Sequence, residues 1–398
     1  MKKIVPATVA LYIALAMLGM WFLPSIRSTQ DIGVYRGIGE MASKQIAGEQ
    51  VELRSEYPPL MTTIFWGMLN SPWHDSFASA WLLFLFLALA GAGLYLWFIA
   101  REEAAIFLLA TVLSIFLLGQ AVFFARNDML VMIPLYLSWR AHIRKLPASG
   151  AFFLIIAGAL KFIPFLLLPL SFLSVARLQR KQWLSGALLA AFLCLALPLA
   201  ILSPQGTIEN VHHVFTYHGS RTFQAESVWS STDMLIRRAF LGEKAKIGMD
   251  HMAYHNHDLP VWAAHAALLI MIIGIVLLTA RAWLRSQKKG WNNREEYLLL
   301  LLWILLTSSI LSPQYFVWLL PLLVAWGVDT CIHDELRLRQ GLIMLSTVII
   351  GFSTQLIMKE AMSAQSLLLV SLLNLRAAVM VCLFLLLFYS TRQRVSKH

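Results

Sequence analysis

F-A-S-A-W-L-L-F-L-F-L-A-L-A-G-A-G-L-Y-L-W-F-I-A, residues 77–100, carries no charged side chain and is long enough to cross the ~30 Å hydrocarbon layer of a bilayer as a helix. Comparable apolar runs recur at residues 4–23, 104–123, 183–202, 261–283, 341–357 and 366–389. Of the 398 residues, 59% are hydrophobic and 13% charged. A soluble domain carries about 25% charge and less than half apolar residues, so this chain is built to dissolve in lipid. An all-α polytopic membrane protein is therefore expected, organised as one integral domain over residues 1–398.

The charge pattern orients the spans. The net charge of +11 would suggest nucleic acid in a soluble chain. Here Lys and Arg gather in short connections, at Arg140, Arg144 and Lys145, at Arg177, Arg180 and Lys181, and at Arg281 and Arg285, where they mark the cytoplasmic side. No nucleic-acid partner is expected. The opening M-K-K-I-V-P-A-T-V-A-L-Y is basic and then apolar but lacks a small-x-small cleavage site, and it reads as an uncleaved first helix. Cys194, Cys331 and Cys382 have no zinc-like spacing and read as packing residues.

Parity then fixes which residues share a compartment. With the amino terminus inside, residues 24–57 form a first external loop and residues 203–260 a large external loop. Two segments are anomalous. Residues 58–69 are too short for an untilted crossing, with Pro72-Trp73-His74-Asp75 beyond them, and residues 151–175 have basic clusters at both ends. Both are expected to enter and return, the second broken at Lys161-Phe162-Ile163-Pro164, because irregular backbone at membrane depth must be buried or line a wet cavity. The scheme gives about ten full crossings and two partial ones, ten to thirteen helices by hydropathy, with both termini cytoplasmic.

The outer face then collects the costly polar groups: Asp31, Glu56, Tyr57, Arg126, Asp128, Lys161 at depth, and Gln314-Tyr315. Ionisable side chains at such positions are functional candidates by default. Pro58 and Pro59 hold Glu56 and Tyr57 outside the helix that follows. Carboxylates alone would suit a cation path. Carboxylates beside Arg126 and Lys161 suit a lipid phosphate and a hydroxyl, because the cations can hold a departing phosphate while an ionised acid takes the proton of an attacking alcohol. Blander readings exist for each. Asp31 can cap the amphipathic stretch from Ile32 to Ile46, Arg126 and Asp128 can pair with each other, and Lys161 can snorkel.

The order of these elements resembles the C-type superfamily of integral membrane glycosyltransferases, closest to the polyprenyl-phosphomannose-dependent mannosyltransferases. The matching pieces are Asp31-Ile32-Gly33-Val34-Tyr35, Gly48, Tyr57-Pro58-Pro59, Gly119-Gln120, Lys161-Phe162-Ile163-Pro164 and Ser312-Pro313-Gln314-Tyr315-Phe316-Val317-Trp318-Leu319-Leu320-Pro321. The asparagine that follows Gly-Gln in that family is absent, and Arg126-Asn127-Asp128 with Glu56-Tyr57-Pro58-Pro59-Leu60 is similar to the aminoarabinose and protein-mannosyl branches. The resemblance implies Asp31 as general base or positioner of the acceptor, and Arg126 and Lys161 as ligands of the donor phosphate. Tyr35, Glu56, Tyr57, Asp128, Gln314 and Tyr315 would line the cavity.

It further implies an inverting transfer, with mannose favoured, from a polyprenyl-phosphate-linked sugar to a glycan or glycolipid acceptor, at the extracytoplasmic side of the inner membrane. No cofactor is assigned, although a divalent metal is compatible with Glu56. Two rivals remain. An O-antigen ligase or polymerase would centre on Arg221 and the histidines His212, His213, His218, His251, His255 and His257, while a transporter or flippase of lipid-linked sugars would show repeated halves. The histidine spacing matches no strong metal motif, and the large loop reads as an acceptor-selecting element.

Overall fold

The computed structural model describes residues 30–49, 51–53, 55–72, 77–250, 253–286, 294–333, 338–358 and 362–394. The first expected span, Trp73-His74-Asp75 and His251 lie outside the described residues. The chain is an all-α multi-pass membrane protein whose described β-structure is one antiparallel hairpin, β1 (Ile247–Asp250) on β2 (Ala253–Asn256), with Ile247 opposite Asn256. Five described helices are long and apolar enough to cross a bilayer, at Phe77–Ile99, Arg177–Ile201, Val261–Ser286, Gln340–Ile357 and Leu367–Tyr389.

The chain divides into two compact units, residues 1–112 with 120–220, and residues 113–119 with 221–398. In the first unit the helices are α1 (Gln30–Ile46), α2 (Pro59–Leu69), α3 (Phe77–Ile99), α4 (Arg101–Leu118, whose last residues belong to the second unit), α5 (Gln120–Ala125), α6 (Asp128–Ile143), α7 (Pro147–Leu160), α8 (Leu168–Leu173), α9 (Arg180–Ile201) and α10 (Ser203–Ser220). At the centre lies α6, buried at every position from Asp128 to His142. Its 16 residues span roughly 24 Å at 1.5 Å per residue, so Asp128 and Arg140 mark opposite ends of the unit.

The segment at 151–175 turns back on itself. Pro164 cannot continue a helix, because its ring meets the carbonyl four residues earlier, and α7 ends at that residue, Leu160. Lys161 is extended (φ −160°, ψ 123°), and a 3₁₀ turn, Ile163–Leu167, leads into α8. Ser171 in α8 then reaches His142 at the end of α6 (2.6 Å) and accepts from Trp183 Nε1 in α9 (2.9 Å). The ring of His142 also lies against Gly150 in the first turn of α7. The chain has thus returned to the level at which α7 began, with Lys161 at the tip, as the basic flanks predict.

That basic end carries a buried clasp. Glu103, fully buried, holds both Arg140 and Arg144, whose Nε lies 2.6 Å from Glu103 Oε1. In the second unit, α12 (Val261–Ser286) and α13 (Arg294–Thr307) repeat the device, with Glu296 between Arg281 (3.8 Å) and Arg285 (2.9 Å).

The rest of the second unit comprises α11 (Val228–Ile236), α14 (Phe316–His333), α15 (Leu338–Ile357) and α16 (Leu367–Arg394). The stretch 203–260, read from the sequence as a long loop, is mostly regular structure: α10, α11, a π-helical turn at Arg237–Leu241 and the hairpin. Its polar residues do not make it a loop. They form ladders, caps and ion pairs, such as the Ser227 cap of α11 and the pairing of Arg237 with Asp233 and Asp258.

Candidate active site

Four charges meet at the end of the first unit opposite the basic clasp. Asp31 lies in the first turn of α1 rather than capping it from outside, and its Oδ1 accepts from Arg126 Nη1 at 2.5 Å. Asp128, in the first turn of α6, accepts from Lys161 Nζ at 2.8 Å. Arg126 therefore pairs across 95 residues with Asp31, and not with its neighbour Asp128. Lys161 does not snorkel to the lipid surface, because its head is committed to a fully buried carboxylate.

The two pairs differ in access. Asp31 and Arg126 keep 21% and 31% of their side-chain surface, so water or a substrate hydroxyl reaches them. Asp128 keeps none. Its second oxygen, Oδ2, is buried without a hydrogen-bond partner, as is Asn127 Nδ2 beside it. A buried acceptor left open in this way costs stability unless something fills it.

Burial raises the Asp31 carboxyl above its usual range, the Arg126 charge opposes this, and Asp128 and Glu56 push it further up. A base of higher proton affinity results, held ionised mainly by one guanidinium. The Arg126 guanidinium is itself held more firmly protonated than usual: burial alone would lower it, and Asp31, Tyr35, Tyr57 and Asp128 together outweigh that.

Beneath the charges lies an aromatic floor that fixes them. Tyr35 stacks on Phe65 (4.6 Å, 8°) and meets Tyr57 edge-on (5.7 Å), with Trp81 at 5.1 Å. The Tyr35 phenol accepts from the Asn127 backbone N–H at 2.9 Å, using a donor that the start of α6 leaves unsatisfied. Burial lifts the Tyr35 and Tyr57 phenols well above their usual range, so both remain neutral donors or acceptors. The Glu56-Tyr57 strap is tied from two sides. Ser55 Oγ bonds to Thr62 Oγ1 (2.9 Å), and α10 supplies His213 Nδ1, which donates to the Ser55 carbonyl (3.0 Å), and His218 Nε2, which donates to the Glu56 carbonyl (3.2 Å).

An apolar groove of about 320 Å³ starts beside this site. Leu60, Leu130 and Leu160, each within three residues of Tyr57, Asp128 or Lys161, line one part of it, and Tyr95, Leu137 and Phe153 line another. It lies between α2, α3, α6 and α7.

The sequence model of Glycosyltransferase family 87 matches residues 56–313. The chain belongs to Glycosyltransferase family 87. Members of that family are membrane glycosyltransferases of the C type, so this member is a membrane glycosyltransferase. Glu56, Tyr57, Arg126, Asp128 and Lys161 fall inside the matched stretch, while Asp31 and Tyr35 precede it and Gln314 and Tyr315 follow it. No curated protein matches the chain.

The first unit brings together Asp31, Tyr35, Glu56, Tyr57, Arg126, Asp128 and Lys161. Gln314 and Tyr315 belong to the second unit, where Tyr315 is buried against Trp318 (4.9 Å) and Gln314 Oε1 is buried without a partner. Among the described residues no group of three His, Cys, Asp or Glu side chains is placed to hold a metal ion. His213 and His218 serve the backbone of the strap instead, and His255 packs beside Thr222.

The sequence reading passed over Arg376. It lies within the last apolar helix, 1% exposed, with Nη2 donating to the Glu226 carbonyl (3.0 Å) and its guanidinium 4.9 Å from the Phe316 ring. A lone arginine inside an apolar run was the available signal. Asn127 gave none, because its burial depends on a fold that brings Tyr35 to it.

Proposed function

We propose that this family 87 member transfers mannose from a polyprenyl-phosphate donor to a glycan or glycolipid acceptor, with inversion, on the extracytoplasmic face of the inner membrane. The observation that carries the reading is the pairing of a partly exposed Asp31–Arg126 with a buried Asp128–Lys161 beside an apolar groove. The groove suits an isoprenoid tail, and the two cations suit the phosphate to which it is joined. A guanidinium is a fork of five N–H donors, so Arg126 can serve Asp31 and a phosphate oxygen together.

In the step proposed, the acceptor hydroxyl oxygen attacks the anomeric carbon and its proton passes to Asp31. The bond from that carbon to the phosphate oxygen breaks, and the electron pair leaves on a polyprenyl phosphate held by Arg126 and Lys161. Direct displacement requires no enzyme nucleophile and inverts the anomeric centre. The placement of the charges supports the extracytoplasmic side. The four charges lie opposite Arg140 and Arg144 along α6, and α10 begins where α9 ends, away from Arg177, Arg180 and Lys181. Basic clusters face the cytoplasm. Ten crossings with both termini cytoplasmic fit the same arrangement.

The test uses purified enzyme in nanodiscs with polyprenyl-phosphate [¹⁴C]mannose. Asp31→Asn is expected to retain donor binding and to lose about 10²–10⁴-fold in transfer, the usual range for removing a general base. Transfer at the rate of the unaltered enzyme would overturn the assignment of Asp31.

A further inference from the structure

Resting on the transfer site proposed above, we infer that α10 forms its acceptor side, with Tyr217 as a stacking platform for a saccharide between His213 and His218. Three rings stand together on this helix. Tyr217 lies nearly parallel to the His213 ring (centroids 6.4 Å, 21°) and edge-on to that of His218 (5.2 Å, 82°). All three side chains are half-buried, so part of the cluster reaches the surface. Both imidazoles reach down to the carbonyls of Ser55 and Glu56, which places the ring cluster directly against the strap that carries Glu56. Glu56 in turn acts electrostatically on Asp31.

The chemistry of the patch selects its occupant. The exposed side of the preceding helix, α9, is apolar, with Leu184, Leu188, Leu189, Phe192 and Leu195 exposed. On α10 the exposed side is mixed: Glu209, His212 and Thr216 suit water, and Ile208 and Phe215 add apolar surface beside them. Aromatic rings with polar edges, set among a carboxylate, hydroxyl-bonding groups and apolar side chains, match the amphipathic faces of a pyranose. Its C–H face lies on a ring while its hydroxyls bond at the rim. The platform also sits on the correct side for the reaction. The apolar groove is lined by α2, α3, α6 and α7, and α10 contributes nothing to its lining, so a saccharide on α10 leaves the groove open to the donor tail.

The experiment is saturation-transfer NMR on the full chain in nanodiscs, with mannobiose, maltose and lactose as water-soluble probes and polyprenyl-phosphate binding measured in parallel. At least one disaccharide is expected to show ring-proton saturation, kept in Tyr217→Phe and in Asp31→Asn. It should be about tenfold weaker in Tyr217→Ala, the size of a lost aromatic contact, with polyprenyl-phosphate binding unchanged. Saturation in Tyr217→Ala equal to that of the unaltered protein, or no saturation with any probe, would overturn the platform. Loss of polyprenyl-phosphate binding by the unaltered protein, with disaccharide saturation intact, would instead overturn the donor assignment alone.

Discussion

Asp31 faces one guanidinium and two carboxylates, and the balance among them sets the pH at which it can act as a base. Burial, Asp128 and Glu56 raise its proton affinity above the ordinary value of 3.8, while Arg126 lowers it. A base must be ionised to accept a proton, so the acid limb of kcat/KM should lie above the range of an exposed aspartate. Removing Arg126 removes the one strong opposing charge. Arg126→Ala should therefore move the acid limb to still higher pH as well as weakening donor binding, and Arg126→Lys should move it part of the way back. A pH–rate series on the three proteins checks this. A limb that shifts downward in Arg126→Ala would mean that the titrating group is not Asp31.

At the scale of elements, the site depends on how closely α7 and α9 approach one another. A Cβ on Gly186 of α9 would fall on the backbone of Ala148 in α7, and one on Gly158 would fall on the ring of Phe165 in the returning segment. Small residues at such crossings let helices pack by dispersion where lipid supplies no hydrophobic drive. Gly186→Val should force α7 and α9 apart at a cost of about 1–3 kcal/mol, seen as a lower unfolding temperature of the detergent-solubilised protein. It should also weaken activity, because α7 carries Lys161 on its tip. An unchanged unfolding temperature would show that the contact yields without strain. The return of residues 151–175 was legible beforehand because two local facts coincide there, a proline four residues after the last helical position and basic clusters on both flanks. The order within 203–260 was not. Its helices are held by tertiary bonds such as His213 to Ser55 and Trp229 to Thr307, which no local pattern announces.

For the whole molecule, composition and the positive clusters were enough to establish a multi-pass helical protein. They also gathered the four charges of the site, because parity assigns compartments without any knowledge of packing. Which cation meets which acid was not readable. Arg126 and Asp128 are two residues apart in sequence, yet each takes a partner from a distant segment, Asp31 of α1 and Lys161 at the end of α7. The sidedness is testable. Because α6 runs from the site to the basic clasp, labels near its two ends are expected to report opposite faces of the membrane. In a background with Cys194, Cys331 and Cys382 changed to Ser, Thr216→Cys on the exposed side of α10 should react with an impermeant maleimide added to intact cells. Leu178→Cys, 95% exposed beside Arg177 and Arg180, should react only after the membrane is opened. Equal reactivity would mean that the two positions share a face, and would overturn a crossing between the site and the basic clasp. The reverse order would place the transfer site in the cytoplasm, turn every basic cluster outward, and remove the ground for a donor presented on the far leaflet.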